Sequence, residues 1–139
     1  MPTINHVLET ALYVKDRARA QRFYETVLGF RVLLDDGNRL TGMAVADTNQ
    51  VLLLFTEGAS TKGEETPGGF IPPHDGHGPL HLAFAVSADS LAEWIAHLGA
   101  NGVPVESNVR PPRGGTSLYF RDPDDNLIEL ASPGIWETY

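Results

Sequence analysis

The 139-residue chain has a hydrophobic content of 42% and no cysteine, which fits one packed domain and excludes disulfides, thiolate metal sites and thiol nucleophiles. Its 18 acidic and 10 basic residues give a net charge of −8. Such a surface repels phosphates, which argues against nucleic acid and membranes as partners. No apolar run approaches the roughly 20 residues of a membrane helix, and the first residues lack the features of a signal peptide. We therefore expect a cytoplasmic protein, and the charge by itself says little about its substrate.

A first structural module is predicted over residues 6–56. It opens with a strand whose residues alternate between two faces. Asp16 then has the side chain of a helix N-cap, and an amphipathic helix runs from it to Gly29. The strands of this module are predicted at residues 9–14, 30–34, 39–46 and 51–56.

The same order of elements recurs over residues 80–133. An alternating strand opens the second module, Ser87 or Asp89 is the predicted helix cap, and the amphipathic helix ends at Gly99 or Gly102. The strands are predicted at residues 81–86, 103–108, 116–121 and 127–131.

Two βαβββ modules predict an α+β fold in a single domain over residues 1–139, with residues 57–79 as the connecting loop. One module cannot bury both faces of its sheet. We therefore expect the two modules to form a curved mixed sheet, with helices on the outer face and a cup-shaped site on the inner face.

Strand alternation selects the side chains that face this cup. If the apolar residues of each first strand pack under the helix, then Glu9, Leu53, His81 and Glu129 occupy equivalent inward positions. A histidine and two carboxylates suit a divalent ion with open coordination positions, such as iron, manganese, zinc, nickel or magnesium. The sequence therefore predicts a metal site of Glu9, His81 and Glu129, whose two carboxylates are also the candidate catalytic groups for proton transfer. The alternative is a hydrogen-bonded core histidine and two solvated glutamates.

Other residues near the predicted cup leave alternatives open. His74 and His77, in the connecting loop, either add a ligand or cover the cup, or else they belong to an exposed Pro/Gly loop, which the composition favours. The candidate substrate-binding residues are Tyr13, Phe55, Arg113 and Tyr119. A surface turn for the arginine and simple lining of the cavity for the tyrosines are the alternatives.

Three segments carry recognisable motifs. Residues 12–30 contain V-x-D followed by F-Y-x-x-x-L-G-F, and residues 81–86 read HLAFAV. Residues 117–130 read SLYFRDPDDNLIEL, which is close to Y-F-x-D-P-D-G-N-x-x-E-L, the most specific of the three motifs. In this order, over about residues 6–133, the segments resemble the vicinal oxygen chelate superfamily of glyoxalases, bleomycin-resistance proteins and extradiol dioxygenases.

The resemblance implies paired βαβββ modules, often a homodimer, and a divalent metal that chelates vicinal oxygens of a substrate. His81 and Glu129 match the family's ligand positions. Glu9 stands where most relatives carry a histidine, and Leu53 stands where glyoxalase I-type members carry a glutamate. Leu53 therefore argues against a four-ligand lactoylglutathione lyase, and Glu9 argues against a dioxygenase with two histidines and one carboxylate.

The main functional hypothesis is a metal-dependent enzyme of lyase, isomerase or dioxygenase type that acts on a small substrate with vicinal oxygens. The alternative is a metal-free protein of the bleomycin-resistance type that binds and sequesters a drug or antibiotic. A third hypothesis is a structural or regulatory protein with a vestigial cup. The three ligand-type residues favour the first hypothesis, because a cup that only stacks a ligand has no need of a paired histidine and carboxylate.

Overall fold

In the computed structural model, which describes all 139 residues, the chain divides into two units, residues 1–78 and residues 79–139. Each unit contains one of the two predicted modules, with a four-stranded sheet and an α-helix. The α+β class and the two βαβββ modules predicted from the sequence are thereby confirmed. The formation of one cup by both sheets stays a prediction.

The first unit contains the strands β1 (Glu9–Val14), β2 (Arg31–Asp35), β3 (Leu40–Ala44) and β4 (Val51–Thr56). They lie in the order β1-β4-β3-β2, with β1 parallel to β4 and the other neighbours antiparallel. Parallel neighbours need a long crossover. In this unit the crossover contains the helix and the β2–β3 hairpin.

Helix α1 (Arg17–Leu28) packs on this sheet. The Asp16 side chain accepts a hydrogen bond from the N–H of Arg19 at 3.0 Å, and Gly29 ends the helix with a φ of 70°, a conformation that glycine adopts without strain. The predicted cap and stop are therefore confirmed. Apolar side chains from both layers are buried, namely Ala20, Tyr24, Val27 and Leu28 of the helix and Leu12, Val14, Leu52 and Leu54 of the sheet.

The connecting segment contains a short hairpin of β5 (Glu64–Thr66) and β6 (Gly69–Ile71), where the sequence predicted only a loop. The Thr66 hydroxyl closes the turn, since it accepts from the N–H of Gly68 and donates to the carbonyl of Gly69. Strands this short carry too few residues for an alternation pattern, so the Gly- and Pro-rich composition dominated the prediction.

The second unit repeats the topology with β7 (His81–Ala85), β8 (Ser107–Val109), β9 (Ser117–Arg121) and β10 (Leu127–Ala131). The order is β7-β10-β9-β8, with β7 parallel to β10. Its buried side chains include Leu118, Phe120, Ile128 and Leu130.

Helix α2 (Leu91–Ala100) follows a single turn of 3-10 helix at Ala88–Ser90. Ser87 occupies the N-cap position of that turn, but its side chain makes no capping hydrogen bond. No helix in the structure has the length and apolar character needed to span a membrane.

The exit from α2 explains a strand that is shorter than predicted. Gly102 has a φ of 69°, and the N–H of Val103 returns to the carbonyl of Leu98 at 2.9 Å, so the backbone after the helix is still tied to it. Pro104 has no N–H to offer a neighbouring strand. The strand that the sequence predicted at residues 103–108 is therefore reduced to β8, which begins only at Ser107.

Candidate metal centre and ligand cavities

The strand register places the predicted inward residues at equivalent positions of the two units. In the first unit, Leu53 lies opposite Ala11, two residues after Glu9. In the second, Glu129 lies opposite Ala83, two residues after His81. The two units therefore have the same strand register at these four positions, as the sequence predicted.

His81 and Glu129 form a pair in the second unit. The His81 Nε2 atom lies 3.3 Å from the Glu129 Oε2 atom, with 50% of the histidine side chain exposed and 9% of the glutamate side chain. The Nδ1 atom of His81 lies 3.0 Å from the carbonyl oxygen of Leu127. A carbonyl can only accept, so Nδ1 carries a proton and donates it. Nε2 is then the nitrogen that faces the carboxylate.

This arrangement has a specific electrostatic consequence. A neutral imidazole protonated at Nδ1 would point the Nε2 lone pair towards the negative oxygen of Glu129, which is repulsive. A proton or a metal cation at Nε2 removes that repulsion. A backbone carbonyl bonded to the other ring nitrogen is also the usual support for a histidine that binds a metal.

Asp122 and Asn126 hold the ends of the two strands that carry this pair. They are buried, with 5% and 0% of their surfaces exposed, and Asp122 Oδ2 accepts from the side-chain amide of Asn126 at 2.9 Å. The Asn126 Oδ1 atom in turn accepts from the N–H of Leu80 at 2.9 Å, immediately before His81. Asp122 and Asn126 belong to the D-P-D-D-N segment of the closing motif, for which the sequence predicted no role. This segment therefore positions β7 against β10.

Tyr119 and a small cavity complete the surroundings of the pair. Tyr119 lies opposite Glu129 on β9, and its ring centroid is 6.3 Å from that of His81. Glu129 also lines a cavity of about 220 Å³, whose other lining residues are Ala83, Phe84, Ala85, Ala131, Trp136 and Tyr139. Tyr119 is thus beside the predicted metal ligands, as a substrate-binding role requires.

Glu9 lies in the first unit, at the exposed start of β1. It lines a cavity of about 540 Å³ together with Thr10, Ala11, Leu34, Arg39, Leu40, Leu53, Phe55, Ile71 and His74. Within either unit alone, no three His, Asp or Glu side chains are grouped as metal ligands. The predicted three-residue set therefore needs Glu9 of the first unit in addition to the pair of the second.

An aromatic cluster lies beside this larger cavity. The Tyr13 hydroxyl is 2.8 Å from Nδ1 of His74, and Phe55 stacks on Tyr13 and meets the edge of the His74 ring at centroid distances of 5.9 and 4.6 Å. Burial raises the pKa of the Tyr13 hydroxyl above its usual value, and the carboxylate of Asp75 raises it further. The interpretation of His74 as part of an exposed loop is therefore wrong, whereas His77 is exposed.

Arg39 also lines the larger cavity, and the sequence did not single it out. Its guanidinium lies 5.4 Å from the centroid of the Phe55 ring and donates to the hydroxyl of Ser60 and the carboxylate of Glu64. Arg39 thus attaches the connecting segment to the sheet. A lone arginine at a strand start has no sequence signal for such a role, because its partners lie 21 and 25 residues further along.

Arg113 lies in the exposed turn between Pro111 and Gly115. The turn is closed by the N–H of Gly114, which donates to the carbonyl of Pro111. Its predicted contact with a substrate stays a prediction.

Comparison with known proteins identifies the family. A family model described as the Glyoxalase/Bleomycin resistance protein/Dioxygenase superfamily matches residues 3–130. The crystal structure of a lactoylglutathione lyase from Agrobacterium tumefaciens superimposes on 97% of this chain and 98% of its own, with a TM-score of 0.86 and 32% sequence identity. The metallothiol transferase FosB of Bacillus licheniformis is 29% identical over 96% of this chain and 77% of its own. A lactoylglutathione lyase of Haemophilus influenzae is 27% identical over 89% of this chain and 90% of its own. The chain belongs to the glyoxalase/bleomycin resistance protein/dioxygenase superfamily.

Proposed function

We propose that the protein is a metal-dependent enzyme that acts on a small substrate with vicinal oxygens, and that Glu9, His81 and Glu129 bind a divalent ion. The observation that carries the proposal is the His81–Glu129 pair. The Nδ1 atom of His81 donates to the carbonyl of Leu127, so that Nε2 faces the nearly buried carboxylate of Glu129. Glu9 is the third ligand in this proposal, and its approach to the pair is part of what must be tested.

The chemistry of the donors fits a divalent ion. Two carboxylates and one imidazole neutralise its charge and leave coordination positions for water or substrate. The same ion would offset the repulsion between two carboxylates in a partly apolar site, which is otherwise costly. The donors do not distinguish among iron, manganese, zinc, nickel and magnesium.

A bound ion would supply Lewis-acid polarisation of the substrate oxygens. The chain's own residues have the remaining tasks. In this proposal Glu129, which lies beside His81 and at the wall of the smaller cavity, holds or moves a proton, and Glu9 offers a second carboxylate at the larger cavity. Tyr119, beside His81, offers a hydroxyl that can orient a substrate oxygen.

The relatives support metal-dependent chemistry and leave the reaction open. Two of the similar proteins are lactoylglutathione lyases and one is a metallothiol transferase. Leu53, in place of the glutamate of glyoxalase I-type members, argues against a four-ligand lactoylglutathione lyase, and Glu9, in place of the family's usual histidine, argues against a dioxygenase with two histidines and one carboxylate. We therefore expect a different reaction on the same scaffold.

Metal analysis tests the proposal. Protein purified without chelator, and protein soaked separately with manganese, iron, nickel, zinc and magnesium, should retain about one ion per predicted site after desalting. A wild-type protein that stays metal-free under all of these conditions overturns the proposal. The metal-free binding protein would then be favoured, because the larger cavity is lined mainly by apolar side chains.

We also propose a homodimer in the cytoplasm. The strands β1 and β7 are end strands of their sheets, and end strands are usually covered or paired. Light scattering at micromolar concentration should give about twice the 15.1 kDa mass of one chain. A mass of one chain would contradict the dimer.

A further inference from the structure

The segment that follows β10, residues 132–139, is attached to the second unit at both of its ends. Ser132 is buried, and its hydroxyl accepts a hydrogen bond from the N–H of Thr116 at 2.8 Å. The N–H of Ser132 donates in return to the carbonyl of Thr116 at 3.0 Å. At the other end, the hydroxyl of Tyr139 donates to the carbonyl of Val86 at 3.0 Å. These hydrogen bonds hold the segment in place beside the ends of strands β7 and β10.

Two glycines allow this segment to lie directly on the turn before β9. A Cβ added at Gly134 would lie 2.7 Å from the backbone nitrogen of Gly115, and a Cβ added at Gly115 would lie 2.9 Å from a side-chain carbon of Ile135. Both glycines have a positive φ, of 106° and 72°, which other residues rarely adopt. The N–H of Gly134 also donates to the carbonyl of Tyr139 at 2.7 Å. The backbone is therefore fixed on both sides of Trp136.

Trp136 leaves 72% of its surface exposed, although the segment that carries it is fixed. Together with Tyr139 it lines the smaller cavity, of about 220 Å³, which Glu129 also lines. A large aromatic ring in water is an unfavourable arrangement that burial against another apolar group would relieve. Trp136 is therefore in a position to contact a molecule that enters this cavity.

The sheet contributes mainly methyl groups to the cavity. On the parallel strands β7 and β10, Glu129 lies opposite Ala83. Two residues further along, Ala131 lies opposite Ala85, so that strand alternation places all four residues on one face. Alanine at three of these positions leaves space above the sheet. Glu129 exposes only 9% of its side chain and faces His81, so the cavity offers a ligand more apolar surface than charge.

The size and the lining of the cavity indicate a class of ligand. An apolar cavity of about 150 Å³ is large enough to bind benzene, and this cavity has about 220 Å³. We propose that it binds a neutral apolar group about the size of a benzene ring, and that Trp136 and the alanines at residues 83, 85 and 131 determine this specificity. The inference rests on the proposed function only in treating this group as part of the substrate that reacts beside Glu129.

The test uses the full chain in EDTA, with toluene as the neutral apolar probe and tetramethylammonium as the cationic comparison. Binding is followed by NMR chemical-shift changes at the methyl groups of Ala83, Ala85 and Ala131. We expect toluene to bind the wild type more tightly than tetramethylammonium. Trp136→Leu should weaken toluene binding by about two- to tenfold, because it removes an aromatic contact. Ala85→Leu should weaken it by at least about tenfold, because the larger side chain fills the cavity.

Two matched controls lie on helix α2. Trp94→Leu removes the other tryptophan of the chain, and Ala92→Leu enlarges an exposed alanine. Neither residue lines the smaller cavity. Both variants should therefore show the wild-type affinity for toluene at the same alanine methyl groups.

The proposal is overturned if toluene does not bind the wild type, or if Trp136→Leu or Ala85→Leu binds it as tightly as the wild type does. Tighter binding of tetramethylammonium than of toluene would also overturn it, because the Glu129 carboxylate would then determine the ligand. None of these readouts requires a metal. Protein that binds toluene but no metal would contradict only the proposed function, and protein that binds metal but no toluene would contradict only this inference.

Discussion

Nε2 of His81 lies 3.3 Å from Oε2 of Glu129, and the two residues lie on neighbouring parallel strands of one sheet. Glu129 is the more buried partner, with only 9% of its side chain exposed. Removing the histidine would leave a nearly buried carboxylate without this partner, and removing the glutamate would leave the imidazole more open to water. The two substitutions should therefore have the same effect on metal binding but different effects on the free energy of unfolding.

His81→Ala and Glu129→Ala should each abolish stoichiometric metal, and Glu9→Gln should weaken metal binding by at least about tenfold, because even residues that only support a ligand contribute that much. Metal content after desalting, and titration of manganese into chelator-treated protein, measure these losses. His97→Ala is the control, because His97 lies on helix α2 and should not affect the ion. Retention of a full complement of metal by either alanine variant would contradict the assignment.

Asn126→Asp should destabilise the second unit. The substitution would replace an amide nitrogen that donates to Asp122 at 2.9 Å with a carboxylate oxygen, at a position where both residues are buried. Two buried like charges at that distance should lower the free energy of unfolding by about 3 kcal/mol at pH 7. Urea unfolding monitored by tryptophan fluorescence measures the change.

The loss in Asn126→Asp should depend on pH. Mutual repulsion raises the pKa of a buried carboxyl pair, so one of the two groups takes up a proton as the pH falls, and the difference from the wild type should shrink. Asn126→Ala is the control, since it removes the hydrogen bonds but adds no charge, and its deficit should not shrink in this way. A deficit for Asn126→Asp that is constant between pH 7 and pH 5 would show that repulsion is not its cause.

How well each strand could be predicted depended on the length of its apolar sequence pattern. Strands β1, β4 and β10 have the predicted bounds, because β1 alternates over six residues and because β4 and β10 are apolar-rich runs of six and five residues flanked by turn residues. Strand β8 was overestimated because the hydrogen bond from Val103 to Leu98 is not visible in the composition.

The site residues divide in the same way. The proximity of His81 and Glu129 could be predicted because strand parity determines which face a side chain takes. His74 was assigned to an exposed loop, because its contacts with Tyr13 and Phe55 depend on how a Gly- and Pro-rich segment returns to the sheet. Glycine and proline indicate that a chain turns, but they do not indicate where it goes next.

Asp36→Ala should destabilise the first unit by about 1–2 kcal/mol at pH 7, since one carboxylate oxygen accepts three backbone N–H groups in the turn before β3, from Asn38, Arg39 and Leu40. Burial alone would raise the pKa of Asp36. The backbone hydrogen bonds and the charge of Arg17 outweigh burial, so the pKa lies below its usual value.

The sign of the pH dependence follows from that lowered pKa. The stabilisation by Asp36 is fully present above the unfolded pKa of about 3.9 and is lost as the pH falls through the lower folded pKa. The difference between the wild type and Asp36→Ala should therefore be constant from pH 7 to about pH 5 and shrink below about pH 4. Urea unfolding at several pH values measures it, with Asp47→Ala, in another exposed turn, as the control. A difference that grows on acidification would contradict this role.

The contact between Arg39 and Glu64 should control how often the connecting segment leaves the sheet. Lys62 lies between Ser60 and Glu64, is exposed, and is a site for trypsin. Glu64→Gln should raise the rate of cleavage at Lys62 by about threefold to fivefold, because a half-exposed ion pair contributes up to about 1 kcal/mol. Arg39→Met should raise the rate further, to about tenfold, because it also removes the contacts with Ser60 and the Phe55 ring.

Mass spectrometry of the early fragments measures that rate at a trypsin concentration at which cleavage reports local opening. Arg22→Met, which removes an exposed arginine of helix α1, is the matched control and should leave the rate at Lys62 unchanged. Urea unfolding of each variant separates local opening from a general loss of stability. If Arg39→Met and Glu64→Gln are cleaved at Lys62 no faster than Arg22→Met, then Arg39 does not attach the segment, and the position of His74 depends on its contacts with Tyr13 and Ser60 instead.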